Sequence, residues 1–84
     1  FAAVARLENE EECYRFFEDL CTINELQAMA QRYEVARMLK KGDTYIAVAE
    51  KTGASSATIS RVNRCLLYGA KGYNIAIERE NAEK

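Results

Sequence analysis

The 84-residue sequence contains no histidine, no proline and no tryptophan, and only three cysteines. Without histidine, and with an odd number of cysteines, neither an ordinary zinc site nor a closed disulfide framework is expected. We therefore predict that Cys13, Cys21 and Cys65 are buried reduced thiols. The absence of proline, with 49% hydrophobic and 30% charged residues, favours a helical domain and excludes collagen-like and low-complexity chains. The prediction is a single all-α domain over residues 1–84.

Long hydrophobic runs are also missing. No segment approaches the roughly 18 to 20 apolar residues that cross a bilayer, and no signal segment opens the chain. We therefore expect a cytoplasmic protein without a membrane partner; the chain begins at Phe1 rather than Met, which leaves upstream residues open. Lack of histidine removes the commonest general base, so no enzyme is expected. Glu10, Glu11 and Glu12 do not predict a metal site, because consecutive side chains on a helix point about 100° apart.

Charge is segregated along the chain, although the formal net charge is only −1. Residues 1–31 contain two basic and seven acidic side chains, a net charge of −5. Residues 32–73 contain eight basic and three acidic side chains, a net charge of +5, and the remainder contributes −1. The basic middle segment indicates one phosphate-facing surface on an otherwise acidic protein.

The spacing of apolar residues predicts five to six helices. The first is expected from Asn9 to Leu20, and the T-x-x-E pattern of Thr22 and Glu25 predicts a capping box that starts a helix over residues 23–41. The apolar stripes of these helices comprise Cys13, Phe16, Phe17 and Leu20 in the first and Leu26, Met29, Ala30, Tyr33, Ala36 and Leu39 in the second. Gly42 is predicted to end the long helix in a left-handed cap.

Two short helices and a terminal one complete the prediction. Asp43 or Thr44 is expected to cap a helix through Lys51, whose apolar residues are Ile46, Val48 and Ala49. Ser55 or Ser56 is expected to cap the next helix, to about Tyr68, and a last short helix is expected from Tyr73 to Asn81.

The two short helices, over approximately residues 44–66, predict a helix-turn-helix. Ala49 allows close crossing of the helices, and Gly53 suits a positive φ in the turn. Val48, Ala54, Ile59 and Val62 supply the apolar contacts. The predicted DNA-binding residues are Ser55, Ser56, Ala57, Thr58, Ser60, Arg61 and Arg64 of the second helix and Thr44, Tyr45 and Lys51 of the first. The same residues also suit an ordinary helical hairpin with conventional caps.

The segment from Thr22 to Leu66 resembles the Trp repressor superfamily, most closely its YerC/YecD-type branch. The most specific match is GASSATISRVNR, residues 53–64, which is similar to that superfamily's recognition helix, and it follows a long helix ending in LKKGD. The resemblance implies an intertwined homodimer whose dimerisation helices lie at approximately 8–41 and 73–82. It also implies a bacterial transcriptional regulator, a repressor, that binds a near-palindromic site in double-stranded DNA. The aromatic residues of the chain independently favour a dimer, because Tyr14, Phe16, Phe17 and Tyr33 exceed what one small core can cover.

The resemblance also suggests an effector pocket. The family's tryptophan-binding threonine and two arginines match Thr22, Arg32 and Arg61. However, Val62 occupies the position of a small glycine, and Cys65 that of a serine near the ligand's amino group. Because two extra methyl groups fill the slot, no cofactor is expected, and L-tryptophan as co-repressor is the alternative.

A second function stays open from the sequence alone. Helix-turn-helix domains also serve as protein-protein docking modules without direct DNA recognition, and a pI near 5.5 is low for a DNA-binding protein. In that case the acidic N-terminal helix would be the docking surface. Salt-sensitive binding that depends on Arg61 and Arg64 distinguishes the two hypotheses.

Overall fold

The computed structural model describes residues 1–83, which form six helices. They are α1 (Ala2–Ala5), α2 (Glu10–Leu20), α3 (Ile23–Lys41), α4 (Tyr45–Thr52), α5 (Ser56–Tyr68) and α6 (Gly72–Ala82). All regular secondary structure in this part of the chain is helical, which confirms the all-α prediction. The sequence did not predict α1, because a single turn is too short to show a periodic apolar stripe.

Side chains at the helix ends explain why the elements begin where they do. The Thr22 hydroxyl accepts a hydrogen bond from the Glu25 backbone N–H at 3.1 Å, and the Glu25 carboxylate accepts one from the Thr22 backbone N–H at 2.8 Å. The predicted capping box is therefore confirmed. Asn9 caps α2 through the Glu12 backbone N–H at 2.9 Å. Gly42 ends α3 with φ +105°, the left-handed conformation predicted for it.

The core lies where the C-terminal half of α3 meets α4, α5 and α6. Its buried side chains are Val35, Ala36, Met38, Val48, Ala54, Ile59, Val62, Leu66 and Ile77. Within the apolar stripe predicted for α3, only Ala36 is buried, while Tyr33 and Leu39 pack partly against the core. Val35 and Met38 are buried instead, because the helices that cover α3 contact the face on which these two residues lie.

The side chains in the N-terminal third of the chain are poorly packed. Within residues 1–34 no side chain is buried. The apolar stripe predicted for α2 does not enter the core: Leu20 is 64% exposed, and Cys13, Phe16 and Phe17 are half-buried. The reason is that α2 packs mainly against α3, so that one side of its stripe faces solvent. The three cysteines are free thiols, but the prediction that they are buried is wrong: Cys65 is exposed, and Cys13 and Cys21 are half-buried.

Candidate nucleic-acid interface

The turn between α4 and α5 has the geometry that the sequence predicts for a helix-turn-helix. Thr44, one of two predicted caps, starts α4 by accepting a hydrogen bond from the Ala47 backbone N–H at 3.1 Å. Gly53 ends that helix with φ +73° and donates its N–H to the Ala49 carbonyl at 2.9 Å. A side chain other than glycine is disfavoured in this left-handed conformation. Ser55 then starts α5 by accepting from the Thr58 N–H at 3.2 Å.

Two polar side chains that the sequence analysis did not single out secure this turn. The Thr52 hydroxyl donates to the Val48 carbonyl at 2.7 Å and accepts from the Ala54 N–H at 3.2 Å. The Gln31 side-chain amide donates to the Thr52 carbonyl at 3.1 Å and so connects the turn to α3. The Thr52 contacts could have been predicted, because a threonine directly precedes the glycine of the turn. The Gln31 contact could not, because Gln31 lies 21 residues away in the sequence.

The inner face of the helix-turn-helix is apolar, as predicted. Val48, Ala54, Ile59 and Val62 are all buried, with at most 6% exposure. Val48 is contributed by α4, Ala54 by the turn, and Ile59 and Val62 by successive turns of α5. This packing holds α5 at a defined angle to α4 and leaves the opposite face of α5 outside the core.

The outer face carries the residues predicted to bind DNA. Exposed side chains are Thr44, Tyr45, Lys51, Ser55, Ser56, Ala57, Ser60, Arg61 and Arg64, and Thr58 is half-buried. Polar and small side chains lie in the first turn of α5, and the two arginines follow one and two turns later. All ten predicted residues therefore lie in α4, in α5 or at their N-caps, and nine of them are exposed.

Ion pairing divides the basic residues of the middle segment into two groups. At the end of α3, Arg37 pairs with Glu34 at 3.1 Å, Lys40 with Glu78 at 3.3 Å and Lys41 with Asp43 at 3.5 Å. No carboxylate within residues 1–83 lies within 4.0 Å of Lys51, Arg61 or Arg64. The positive charge of the helix-turn-helix is thus not neutralised by the described part of its own chain.

The five residues predicted to form an effector pocket belong to two helices: Thr22 and Arg32 to the start and middle of α3, and Arg61, Val62 and Cys65 to α5. Thr22 caps α3, where its backbone N–H and its hydroxyl hold the pKa of Glu25 below the ordinary 4.5. Arg32 and Arg61 are exposed, and Val62 is 2% exposed within the core.

Cys65 lines a different cavity, near the turn before α6. It has a volume of about 370 Å³, and its walls are formed by Tyr33, Cys65, Ala70, Lys71, Gly72, Tyr73 and Ala76. None of the other four predicted effector residues lines it.

Two further properties concern the described residues alone. Among the helices of residues 1–83, none combines the length and apolarity that a membrane span requires. The same residues hold no group of three or more His, Cys, Asp or Glu side chains placed to share a metal ion.

Sequence and structure comparisons agree with this architecture. Residues 1–81 match the family model of the Trp repressor protein. The chain is 60% identical over 79 residues to the uncharacterized protein YerC of Bacillus subtilis strain 168, covering 94% of this chain and 76% of that protein.

Two crystal structures have the same fold. A candidate Trp repressor from Staphylococcus aureus superposes with a TM-score of 0.90 at 52% identity, covering 96% of this chain and 81% of that one. A TrpR-like protein from Eubacterium eligens ATCC 27750 superposes with a TM-score of 0.90 at 56% identity, covering 96% and 84%. On the evidence of the family match over nearly the whole chain and of relatives at more than half identity, this protein belongs to the Trp repressor family, a family of DNA-binding regulators rather than enzymes.

Proposed function

We propose that the protein is a bacterial transcriptional regulator, a repressor, that acts in the cytoplasm and binds a near-palindromic DNA site as a homodimer. The observation that carries this proposal is the outer face of α5. Ser55 at the N-cap and Ser56 and Ser60 in the helix are exposed. Arg61 and Arg64 are also exposed, and their charges are not paired within the described chain. Membership in a family of DNA-binding regulators supports the same function.

The chemistry of this face suits entry into a major groove. Serine and threonine hydroxyls can exchange hydrogen bonds with base edges or phosphates, and arginine can bind guanine or phosphate through two N–H groups. In α5 the short side chains come first, where a recognition helix approaches the bases. In α4, Thr44, Tyr45 and Lys51 are exposed and would contact the backbone, which the first helix of such a motif crosses.

A homodimer explains the apolar side chains that one chain leaves uncovered. Tyr14 is 68% exposed on α2, and Ile23 is 71% exposed at the start of α3. With no buried side chain in residues 1–34, the N-terminal helices have an apolar surface and no core of their own. A second copy related by a two-fold axis would cover these surfaces on both chains at once. The same axis would place two α5 helices about 34 Å apart, in successive major grooves.

Regulation by tryptophan is not part of the proposed mechanism. Val62, at the position of the family's small glycine, is almost completely buried against the core. Any ligand that needs this space would have to displace a packed side chain, and overpacking of this kind typically costs about 1–3 kcal/mol. The protein is therefore expected to bind DNA without a cofactor.

Selection from a random duplex pool tests the proposal. Purified full-length protein, first shown to be folded and dimeric, would be used with and without L-tryptophan, and beside Arg61→Ala. Arg79→Ala is the matched control, since it removes an exposed arginine from α6. We expect an enriched palindrome with half-sites one helical turn apart, lost in Arg61→Ala, kept in Arg79→Ala and independent of tryptophan. No enrichment would contradict DNA recognition and favour a docking module that binds through the acidic α2.

A further inference from the structure

Ile46 is an aliphatic residue whose side chain is largely exposed to solvent. It is 74% exposed in the first turn of α4, whereas Val48, two residues later, is completely buried. Because successive residues of an α-helix are rotated by about 100°, side chains two positions apart point in nearly opposite directions. Val48 is the α4 residue of the core, so Ile46 points away from the core and from the helices packed around it.

Ile46 directly follows two of the proposed DNA contacts in the chain. Thr44 caps α4, and Tyr45 and Ile46 are the first two residues of that helix. Tyr45 is 43% exposed. In a helix-turn-helix the first helix crosses the DNA backbone beside the groove that the second helix enters. The first-turn side chains of α4 therefore lie at the edge of that groove when α5 occupies it.

The chemistry of isoleucine restricts what it can contact there. The side chain has no hydrogen-bond donor and cannot bind a phosphate. The major groove contains one apolar group that distinguishes a base pair, the C5 methyl of thymine. Burying Ile46 against that methyl would remove two exposed apolar groups from water together. A protein partner fits less well, because Tyr45 and Ile46 form only a small part of the roughly 800 Å² that a stable interface buries on each side.

We propose that Ile46 is a specificity-determining residue that packs against the C5 methyl of one thymine in each half-site. The inference rests on the proposed DNA-binding function and adds a contact of a different kind. The polar residues of α5 select bases through hydrogen bonds, whereas Ile46 selects thymine through an apolar contact.

Replacing single thymines of the selected site by deoxyuridine tests this contact, because deoxyuridine lacks only the C5 methyl. Affinities of the full chain would be measured by fluorescence anisotropy at one salt concentration for each substituted duplex. For the wild-type protein we expect one thymine per half-site at which loss of the methyl weakens binding about fourfold, the effect of one buried CH₂-sized group. In Ile46→Ala the same replacement should change the affinity by less than about 1.5-fold.

Two further variants make the result specific to Ile46. Ile46→Val keeps both branches at Cβ and should retain most of the deoxyuridine effect. Leu67→Ala removes another exposed aliphatic side chain, at the far end of α5, and should retain all of it. Ile46→Ala is expected to fold normally, since the side chain is exposed and alanine favours helices; circular dichroism and sedimentation check this.

The outcomes separate this inference from the proposed function. If wild-type protein binds no duplex selectively, DNA recognition itself fails. If it binds a selected site but no deoxyuridine substitution matters, or if the effect persists undiminished in Ile46→Ala, DNA recognition stands and the assignment of Ile46 is wrong.

Discussion

The phenol of Tyr33 donates a hydrogen bond to Oε1 of Glu80 at 3.2 Å and joins α3 to α6 across 47 residues of sequence. Nε of Arg37 lies 3.3 Å from the same oxygen. One turn further along α3, Lys40 pairs with Glu78 at 3.3 Å. The C-terminal half of α3 is therefore a common platform: it anchors α6 through polar contacts and supports α4 and α5 through the apolar core.

Removing the Tyr33 hydroxyl should measurably loosen this platform. Tyr33→Phe deletes one partly buried hydrogen bond and is expected to lower the free energy of unfolding by about 1 kcal/mol. Tyr68→Phe is the matched control, because Tyr68 is 82% exposed. Urea unfolding at one fixed protein concentration measures both variants. Equal stabilities of the two variants would contradict a stabilising contact between Tyr33 and Glu80.

Tyr33 should also ionise at a higher pH than an ordinary tyrosine does. Burial, followed by the hydrogen bond to Glu80, raises the pKa of Tyr33 above the ordinary 10.0. The folded state thus holds this proton more tightly than the unfolded state does. The resulting contribution to stability is complete below pH 10.0 and is lost as the pH rises through the higher pKa of the folded protein. Ultraviolet titration of tyrosinate should show that Tyr33→Phe loses a late-ionising phenol, whereas Tyr68→Phe retains it.

The two glycines at the α5–α6 connection should respond differently to an added methyl group: Gly72, the first residue of α6, should tolerate it, and Gly69, the C-cap of α5, should not. A Cβ at Gly69 would lie 2.5 Å from the Cys65 carbonyl oxygen and 2.9 Å from the Cys65 Cα, whereas a Cβ at Gly72 would meet nothing within 4 Å. Gly69→Ala is therefore expected to destabilise the protein by about 1–3 kcal/mol. Gly72→Ala should be neutral or stabilise it by about 0.4–1 kcal/mol.

Thermal and urea unfolding of these two glycine variants would check the difference. If Gly69→Ala is as stable as the wild-type protein, the turn between α5 and α6 adapts to the added methyl group. That result would argue against a fixed connection between the two helices.

The capping box at the start of α3 should be visible in the titration of Glu25. The Thr22 backbone N–H and then its hydroxyl lower the pKa of Glu25 from 4.5. The hydrogen bonds to the Glu25 carboxylate therefore stabilise the folded protein fully when the pH is above the pKa of Glu25 in the unfolded chain. This stabilisation is lost as the pH falls through the lower pKa of the folded protein. NMR titration of the carboxyl carbon should report a depressed value that Thr22→Ala raises only partly, since the backbone N–H remains. An ordinary value in the wild-type protein would be incompatible with the capping box.

Local signals in the sequence were sufficient for most helix boundaries. Thr22 with Glu25, Gly42 and Gly53 each specify a cap or a backbone conformation through their own chemistry, and the structure has all of them as predicted. The bounds of α3 follow from Thr22, Glu25 and Gly42, because a cap acts within three or four positions of the chain.

Burial was less predictable, since it depends on which helices meet. Leu26 and Met29 continue the stripe of α3, yet Leu26 is only half-buried and Met29 is 37% exposed. Ile46 and Val48 are both apolar residues of a two-turn helix, and so short a helix does not reveal which of them faces the core. The Gln31 contact with Thr52 likewise joins distant segments that no local pattern relates.

The most direct test of DNA binding through the exposed face of α5 is the salt dependence of binding to the selected duplex. It would be measured by fluorescence anisotropy for wild type, Arg61→Ala, Arg64→Ala and Arg79→Ala. DNA binding through the exposed face of α5 predicts that the logarithm of the affinity falls linearly with the logarithm of the salt concentration. It also predicts that each α5 variant loses affinity, and that a lost phosphate contact lowers the slope by about 1, whereas Arg79→Ala matches wild type. Equal affinities and slopes for all four proteins would contradict DNA binding through the exposed face of α5.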